Sequence, residues 1–456
     1  MNAAIVGGGI SGLATAFYLK QHGIAATLIE KSPRLGGLIR TDNVQGCQLE
    51  AGPDSYIATK PAVTQLAAEL GELENEIIGS NDQQRRVYIV RQNRFIELPK
   101  GMVMMVPGDL NAAMKSPLFS RETKLRFITE IFFRPRKRIS DISVEELVGS
   151  HFGEELLEYV TEPLLSGVYG GDAAKLSAES VLPRFVVYEG EYGSLIRAVR
   201  RERSSPKHSG SIFLSFRTGM QSLTDSIAAA IAGSVSVVHG EVSSLERTSA
   251  GWRIMCAGQT IEATHAVLAV PAYTAANLLS KSVPELAAEL SQIPYSSAIL
   301  VTLVYRKEDT AIPPGFGFLV PRGERRTVAA ATFIGTKWLG RIPEGFVALR
   351  AFIVDPEAPE LLKRPDEVLI DLVRSDFKRL LNIGADPVFS TLNRWPNSMP
   401  QYVVGHKARQ ERIGTLLSQV PGLYLTGNAY DGVGVPDCVR LAALTAQTIA
   451  SSTKAR

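Results

Sequence analysis

The first thirty residues alternate apolar runs with a helical pattern. Residues 3–6 form a short apolar run that ends in glycines, and residues 26–29 form a second run. Between them, residues 10–20 carry apolar side chains at helical spacing, and Gly23 follows. The apolar face of this predicted helix consists of Ile10, Leu13, Ala14, Phe17 and Tyr18. The pattern predicts a β-α-β unit whose two strands are parallel.

Later segments repeat the strand pattern around a long helical stretch. Residues 86–90 and 94–98 are predicted strands joined by a turn, and residues 100–203 are mainly helical, with Ser143 and Glu146 as a helix cap. Further predictions are strands at 235–238, 265–270, 298–304, 346–353 and 423–425, and helices at 367–381 and from about 436. A nucleotide-binding fold is therefore expected at both ends of the chain, with other domains inserted between.

Composition limits the classes of function. The chain has 456 residues, 45% apolar and 21% charged, which is typical of a globular protein with two or three domains. The formal net charge of +3 gives no reason to expect nucleic acid as a partner. The three cysteines lack the spacing of a metal site, and no signal peptide or long apolar run is visible, which predicts a cytoplasmic protein without a metal.

The first glycine turn has the pattern of a dinucleotide-binding site. The residues Gly7, Gly8, Gly9, Ile10, Ser11 and Gly12 fit G-x-G-x-x-G, and Glu30 follows Gly12 by eighteen residues. Glycine permits a tight turn, a close approach to a pyrophosphate and close helix packing, while the helix N-terminus favours phosphate. Glu30 is placed to accept hydrogen bonds from ribose hydroxyls. The motif alone does not distinguish NAD from FAD.

Two further segments favour FAD. After Glu30, the sequence KSPRLGG (31–37) resembles the extension of the glycine motif in flavin amine oxidases, where it crosses the flavin end of the cofactor. Near the other end, LYLTGNAYDGVG (423–434) is a short strand, a glycine loop and the start of a helix at Pro436. This resemblance implies cofactor contacts by Lys31, Arg34, Gly36, Gly37, Leu38, Gly52, Pro53, Asp54, Ser55, Val242, Trp395, Gly427, Gly432, Val433, Gly434 and Val435.

Six segments resemble the oxygen-dependent protoporphyrinogen and coproporphyrinogen oxidases more specifically. They are EAGPDS (50–55), EPLLSGVYGGD (162–172), GSLI (193–196), GFGFLVP (315–321), MPQY (399–402) and GNAYDGVGVPDC (427–438). The resemblance implies removal of six electrons from a porphyrinogen, with hydride transfer from a meso carbon to flavin N5 and release of hydrogen peroxide. It also implies little need for a catalytic side chain.

The same resemblance implies which residues position the substrate. Arg86, with Arg85 beside it, is expected to pair with a propionate, because guanidinium and carboxylate fit bidentately. Phe316 and Leu319 are expected to flank a pyrrole ring, with Phe352 on the opposing wall. A loop at 166–172, with Gly167 for close approach, is expected to close over the reactive carbon.

The fold class expected is α/β, with a discontinuous Rossmann-like FAD-binding domain and two insertions. The FAD-binding domain is predicted to comprise residues 1–84, 204–270 and 390–456. An α+β substrate-binding domain is predicted at 85–98 and 271–389, and a helical, membrane-associating domain at 99–203. These boundaries follow from the interleaved cofactor motifs.

Several alternatives stay open. Leu300 stands where flavin amine oxidases usually carry lysine, which argues against an amine oxidase, but another amine oxidase or a polyene desaturase is the second hypothesis. A flavin-bound docking protein without turnover, using the basic cluster at 134–138, is the third. The predicted partners are a porphyrinogen and oxygen; peripheral membrane contact, a homodimer and hand-off to a ferrochelatase are further hypotheses. Protoporphyrinogen IX and coproporphyrinogen III are not distinguished.

Overall fold

Residues 2–203 and 210–454 are described by a computed structural model. Within these ranges the strands are β1 Asn2–Val6, β2 Ala25–Glu30, β3 Thr41–Val44, β4 Cys47–Glu50, β5 Tyr56–Ile57, β6 Ile77–Gly79, β7 Val87–Arg91, β8 Arg94–Glu97, β9 Met102–Val103, β10 Val106–Pro107, β11 Phe213–Phe216, β12 Ser236–His239, β13 Val242–Thr248, β14 Gly251–Cys256, β15 Gln259–Ala263, β16 His265–Leu268, β17 Tyr295–Arg306, β18 Gly317–Leu319, β19 Ala330–Phe333, β20 Phe346–Val354, β21 Phe389–Pro400 and β22 Leu423–Leu425.

The helices in the same ranges are α1 Ile10–Gln21, α2 Ala62–Glu69, α3 Leu110–Lys115, α4 Arg121–Glu130, α5 Val144–Phe152, α6 Glu154–Leu156, α7 Glu162–Tyr169, α8 Ala178–Val181, α9 Pro183–Tyr192, α10 Leu195–Arg203, α11 Gln221–Ile231, α12 Ala272–Leu279, α13 Pro284–Ser291, α14 Ile334–Lys337, α15 Ala358–Leu361, α16 Asp366–Leu381, α17 His406–Ser418 and α18 Val435–Lys454. No helix of the described chain is long and apolar enough to cross a membrane.

The chain forms two compact units, and neither is continuous in sequence. The first comprises residues 1–80, 211–294 and 408–456, and the second comprises residues 81–210 and 295–407. The first unit is built on a parallel sheet in the order β12-β2-β1-β16-β22. The predicted parallel pair of β1 and β2 is therefore confirmed.

The strand order of the first unit reverses between β1 and its neighbour β16. A dinucleotide fold of this type binds its ligand outside the carboxyl ends of the strands at such a switch point. Helices α1, α11 and α18 cover the sheet, and their buried side chains form one core with β1 and β2, including Leu13, Phe17, Ile227, Ala442 and Ile449. The central strand β1 is buried from Ala3 to Val6, on both of its sides.

A seven-stranded sheet in the order β21-β17-β20-β19-β18-β7-β8 is the centre of the second unit. One face packs against α16, with Phe318, Val301 and Ala351 of the sheet meeting Val373 and Phe377 of the helix in a single core. Alternate residues of the same strands point to the other face. The predicted helix cap is confirmed, because the hydroxyl of Ser143 accepts a hydrogen bond of 3.0 Å from the amide of Glu146 at the start of α5.

The two units divide the chain at positions that differ from several predicted domain boundaries. Residues 390–407 belong to the second unit, because β21 pairs along its length with β17. Residues 271–294 belong to the first unit, in which α12 contacts β13. Residues 99–203 form no separate unit but share one with the seven-stranded sheet. The predicted boundary between 203 and 204 borders residues 204–209, which lie outside the described residues.

Candidate functional site

The fingerprint turn lies at the carboxyl end of β1, at the switch point of the parallel sheet. Gly7 has a φ of +106°, and its amide donates a hydrogen bond of 2.8 Å to the carbonyl of Ile29 on β2. A Cβ on Gly12 would lie only 1.8 Å from the carbonyl oxygen of Gly7. Only glycine fits at this point, so α1 begins close against the turn, with its free amide groups at the sheet edge.

Glu30 is oriented toward the same turn. Its carboxylate accepts hydrogen bonds of 2.6 Å from the amide of Gly8 and 2.8 Å from the amide of Ser32. Each carboxylate oxygen has a second lone pair. The predicted pairing of Glu30 with ribose hydroxyls therefore agrees with its position and stays a prediction.

The extension after Glu30 folds back onto the fingerprint turn. The amide of Gly36 donates 2.8 Å to the carbonyl of Gly8, and a Cβ on Gly37 would lie 3.1 Å from the Cα of Gly9. Arg34 braces this loop, since its guanidinium donates 2.8 Å to the carbonyl of Leu35 and 2.9 Å to that of Ile39. The contact of Arg34 with pyrophosphate stays a prediction, as do those of the exposed Lys31 and Leu38.

The segment at 50–55 is anchored by close packing and by partly buried hydrogen bonds. A Cβ on Gly52 would lie 2.1 Å from the carbonyl oxygen of Leu38, so this segment packs against the extension. The carbonyl of Asp54 accepts 2.9 Å from the hydroxyl of Ser215, and its carboxylate accepts 2.7 Å from the hydroxyl of Ser55. Pro53 lies between Gly52 and Asp54, which are both held by these contacts. The cofactor contacts predicted for residues 52–55 stay predictions.

The second glycine loop lies two strands away at the same edge of the sheet. It follows β22, and the amide of Thr426 donates 3.1 Å to the carbonyl at the end of β16. The Thr426 hydroxyl is buried and has no hydrogen-bond partner among the described residues. A Cβ on Gly427 would lie 4.0 Å from the hydroxyl of Ser11, the nearest atom. The two glycine turns therefore lie beside each other, and the buried Thr426 hydroxyl stands at the start of the second loop.

Asp437 shapes the end of the second loop. Gly432 has a φ of +101°, and the amide of Gly434 donates 3.2 Å to the carboxylate of Asp437. Lys60 pairs with that carboxylate at 2.7 Å. Val433 and Val435 lie on either side of Gly434. Helix α18 begins at Val435 and packs against α1, so its N-terminus lies beside the first turn. Cys438 is a buried thiol whose pKa is raised to about 11 by burial, which agrees with a structural role.

The remaining predicted cofactor contacts lie in different units. Val242 begins β13, close in sequence to Gly240, whose amide donates 2.9 Å to the carbonyl of Glu30. Trp395 lies on β21, opposite Ala298 of β17, and so belongs to the second unit. All other predicted contacts are in the first unit, and the two glycine turns follow the ends of β1 and β22. Glycine turns, two helix N-termini, an acid and an unpaired hydroxyl fit a dinucleotide.

In the second unit, Arg86 is exposed immediately before β7, which begins at Val87 rather than at the predicted residue 86. Its carbonyl accepts 2.8 Å from the amide of Phe316. Neither Arg86 nor Arg85 forms an ion pair with any residue that the structure describes. The two guanidinium groups are therefore available to a carboxylate, and the predicted contact with a propionate stays a prediction.

Leu319 and Phe352 lie on one face of the seven-stranded sheet, not on opposing walls. Leu319 is opposite Ala330, which is opposite Phe352, which is in turn opposite Leu300. Paired residues point to the same side of a sheet. The structure therefore does not place Phe352 on a wall opposite Leu319, as was predicted. Phe316 is buried and precedes β18.

Sequence reasoning did not identify Arg350. This arginine is buried on the same face, two residues before Phe352, and its guanidinium lies 4.9 Å from the centre of the Phe352 ring. A charge within the otherwise apolar run FVALRAFIV was the signal available in the sequence. Charged residues are rarely buried without a role, so Arg350 joins the candidate substrate face.

The segment after Glu162 differs from the loop expected at 166–172. Residues Glu162–Tyr169 form helix α7, and Gly167 is an exposed helical residue with open space at its Cβ position. The chain leaves the helix only at Gly170, which has a φ of +58°. A π-helical turn over Leu157–Thr161 precedes α7, and such turns are frequent near functional sites. Burial raises the pKa of Glu162, although Arg322 at 3.6 Å opposes the shift.

The parallel sheet with its switch point and glycine turns defines a dinucleotide-binding fold. The chain belongs to the family of flavin-containing amine oxidoreductases, whose pattern matches residues 10–450. The predicted α/β fold class, the flavin and the oxidoreductase class are thereby confirmed, and a dinucleotide site makes the flavin FAD.

Named relatives match nearly the whole chain. A Bacillus subtilis protein named coproporphyrinogen III oxidase is 32% identical, with 96% of this chain and 95% of the relative covered. A Staphylococcus aureus protein of the same name is 30% identical, with 98% of each covered. A crystal structure from Exiguobacterium sp. 255-15, assigned as a protoporphyrinogen oxidase, has a TM-score of 0.88 at 30% identity and covers 99% of both chains.

Proposed function

We propose that this protein is an FAD-dependent, oxygen-using porphyrinogen oxidase of haem biosynthesis, and that coproporphyrinogen III is its substrate. The observation that carries the proposal is similarity over almost the full length to two proteins named coproporphyrinogen III oxidase. The structural relative assigned to protoporphyrinogen supports the same reaction on a related macrocycle.

Bound FAD supplies an acceptor for the two electrons of a hydride. The chain itself holds the cofactor and orients the substrate. The backbone amides at the start of α1 suit the pyrophosphate, and Glu30 suits the adenosine ribose. The N-terminus of α18, held by Asp437 and Lys60, presents positive potential at the second glycine loop. Glycines at both turns allow the backbone to approach the ligand closely.

The second unit has the chemistry expected for a flat, apolar substrate with carboxylate arms. Leu319 and Phe352 provide apolar surface on one sheet face, and Phe352 is backed by the guanidinium of Arg350. Arg85 and Arg86 lie side by side at the start of β7 and are exposed. Both candidate porphyrinogens carry at least two propionates, so two adjacent arginines suit either of them.

The proposed partners extend to a surface and to other proteins. Phe132 is 76% exposed and Ile139 is fully exposed, and Arg134, Arg136 and Lys137 lie between them. Exposed apolar side chains beside basic ones suit peripheral contact with an anionic membrane. The proposal includes a homodimer. It also includes product transfer to a ferrochelatase, because a flat apolar porphyrin is best kept out of water.

The test is a comparison of the two porphyrinogens in one assay. Purified holoprotein is mixed in air with coproporphyrinogen III or with protoporphyrinogen IX, and porphyrin fluorescence and hydrogen peroxide are followed together. We expect peroxide and porphyrin to rise in a 3:1 ratio, as a six-electron oxidation requires, with the higher kcat/KM for coproporphyrinogen III.

The outcomes separate the proposals. A higher kcat/KM for protoporphyrinogen IX would overturn the choice of substrate but not the class of enzyme. No fluorescence with either porphyrinogen, at full flavin loading, would overturn the class. In that case, oxidation of amines or polyenes and vesicle binding without turnover are the next assays.

A further inference from the structure

A buried cluster of charged side chains lies in the helical part of the second unit. At its centre is Glu130, the last residue of α4, which is completely buried. Its carboxylate accepts hydrogen bonds of 2.7 Å from the hydroxyl of Ser194, 2.6 Å from the amide of Leu195 and 3.3 Å from the amide of Ile196. Glu130 therefore acts as the anion at the N-terminus of α10.

His151 joins this carboxylate to a second one. Its Nδ1 lies 2.9 Å from Glu130, and its Nε2 lies 3.4 Å from Glu189 of α9. Both ring nitrogens donate only when the imidazole is protonated. Glu189 also accepts two hydrogen bonds of 2.8 Å from the guanidinium of Arg138. The cluster thus links α4, α5, α9 and α10 to the loop that contains Arg138.

That loop, residues 132–139, is the exposed basic segment between α4 and α5. Three contacts attach it to the cluster and its surroundings. Arg138 is paired with Glu189, the amide of Arg136 donates 3.1 Å to the carbonyl of Glu189, and the guanidinium of Arg197 donates 2.8 Å to the carbonyl of Phe133. The ring of Phe133 also packs 5.4 Å from the imidazole of His151. The segment is consequently held through Glu189 and His151.

The charges around the imidazole balance only if it is protonated. From α4 it faces Glu130, and from α9 it faces Glu189, while the loop contributes Arg138. The N-terminus of α10 contributes hydroxyl and amide donors. On α5 itself, Glu146 is directed to Arg138 at 3.2 Å, and on α6, Glu155 is paired with Arg91. Two carboxylates therefore contact the imidazole, and only one of them, Glu189, is paired with a permanent cation, so a protonated His151 supplies the charge that faces Glu130.

We propose that His151 is a pH-sensitive clasp for residues 132–139, by which we mean that its protonation controls how tightly this segment is attached to α5 and α9. When protonated, it donates to both Glu130 and Glu189 and so holds Glu189, whose carboxylate binds Arg138 and whose backbone carbonyl accepts from the amide of Arg136. When neutral, it can donate to only one of them, so one of the two buried carboxylates loses a charge-assisted hydrogen bond. The segment then separates more readily from α5 and α9.

The direction of the pH dependence follows from the pKa shifts of His151 and Glu189. Burial alone lowers the pKa of His151, but the hydrogen bonds and charges of Glu130 and Glu189 outweigh burial and raise it. The stabilisation is therefore complete below the ordinary histidine pKa of about 6.5 and is lost as pH rises through the raised value. Although burial opposes the shift, His151 and Arg138 lower the pKa of Glu189 to about 2, so acid weakens the clasp only at far lower pH.

The test measures hydrogen exchange in the holoprotein by mass spectrometry between pH 6 and pH 9, corrected for the intrinsic exchange rate at each pH. Peptides covering residues 132–139 should lose protection as pH rises, by about tenfold per pH unit within the titration, the limit for coupling to one proton. Peptides covering α1 in the other unit should keep theirs. Protection that stays constant over residues 132–139 would overturn the proposal.

Two variants separate the histidine from other titrations. In His151→Gln, which cannot gain a proton, protection of the segment should be independent of pH; retention of the wild-type profile would overturn the proposal. Should His151→Gln fail to fold, Glu189→Gln should move the midpoint to lower pH, since one carboxylate no longer favours the imidazolium. An unchanged midpoint would contradict the clasp. The matched control is His22→Gln at an exposed histidine, which should behave as wild type.

Discussion

At the scale of single residues, the fingerprint turn is restricted by its own backbone before any cofactor is considered. The 1.8 Å between a Cβ at position 12 and the carbonyl oxygen of Gly7 is far below any van der Waals contact, and the obstructing atom is backbone. Gly12→Ala should therefore displace α1 from the turn. We expect a loss of about 3 kcal/mol or more in the free energy of unfolding, together with loss of FAD.

Denaturant unfolding and the flavin absorbance of purified protein measure both effects. Gly414→Ala is the matched control, because Gly414 lies inside helix α17 of the same unit with open space around its Cβ position. That control should retain FAD and gain up to about 1 kcal/mol from the helix propensity of alanine. Retention of FAD and stability by Gly12→Ala would contradict the structure of the turn.

Arg86 is the residue on which substrate binding is expected to depend most directly. It is exposed and has no ion partner among the described residues, so its removal should leave the fold intact. A charge-assisted hydrogen bond contributes about 1.5–3 kcal/mol, so Arg86→Ala should lower kcat/KM for the porphyrinogen by roughly 10- to 150-fold. Steady-state fluorescence assays measure this change.

The control for Arg86 is Arg94→Ala, at an exposed arginine on the neighbouring strand β8. It should change kcat/KM by less than about twofold, because exposed charges away from a site contribute little. FAD content should equal that of the wild type in both variants. Loss of flavin from Arg86→Ala would place this residue at the cofactor instead of the substrate.

At the scale of elements, the contact between α16 and the seven-stranded sheet supports the candidate substrate face from behind. Phe377 is fully buried in that contact, and its ring lies 6.4 Å from the ring of Phe318. Phe377→Ala should lower the free energy of unfolding by about 3–5 kcal/mol through lost burial and a residual cavity. Val368→Ala, at a half-exposed position of the same helix, should lower it by less than about 1 kcal/mol.

Chemical denaturation monitored by circular dichroism measures both variants. Comparable losses in the two would mean that α16 is not packed on the sheet as described. A secondary effect is expected on turnover, because Phe318 lies next to Leu319, a predicted substrate contact, on β18. Disturbing the core side of that strand should raise KM without removing FAD.

At the scale of the whole molecule, the order of segments makes the two ends of the chain interdependent. Strands β1 and β2 come from the N-terminus, whereas β22 and α18 come from the last part of the chain, and α18 packs against α1. A chain truncated after Val420 would leave the apolar face of α1 uncovered and one strand missing. We expect it to be insoluble or molten and to bind no FAD.

Solubility, near-ultraviolet circular dichroism and flavin content measure the effect of truncation. The control is full-length Leu444→Ala, at an exposed position of α18, which should fold and bind FAD normally. A truncated chain that folds cooperatively and binds FAD would show that the N-terminal segments form the cofactor site without the C-terminal ones.

Local patterns in the sequence predicted much of this protein. The β-α-β unit, the cap at Ser143, the last strand and the glycine turns are confirmed because each depends on neighbouring residues: apolar spacing, a capping hydroxyl, or glycine where a Cβ cannot fit. The resemblance through six motifs also identified the family. These features depend on residues that are close together in the sequence. They can therefore be predicted without knowing where each segment lies in the fold.

Other features depend on residues far apart in sequence and came only from the tertiary structure. The register of β18, β19 and β20 puts Leu319 and Phe352 on one face, and pairing of β21 with β17 moves residues 390–407 out of the cofactor unit. Arg350 is a buried charge that packs on the ring of Phe352, and the cluster around His151 joins buried charges from several elements. Sequence by itself determined which residues turn, cap and carry charge; only packing decided which of them meet, because strand register and burial are set by contacts across the whole fold.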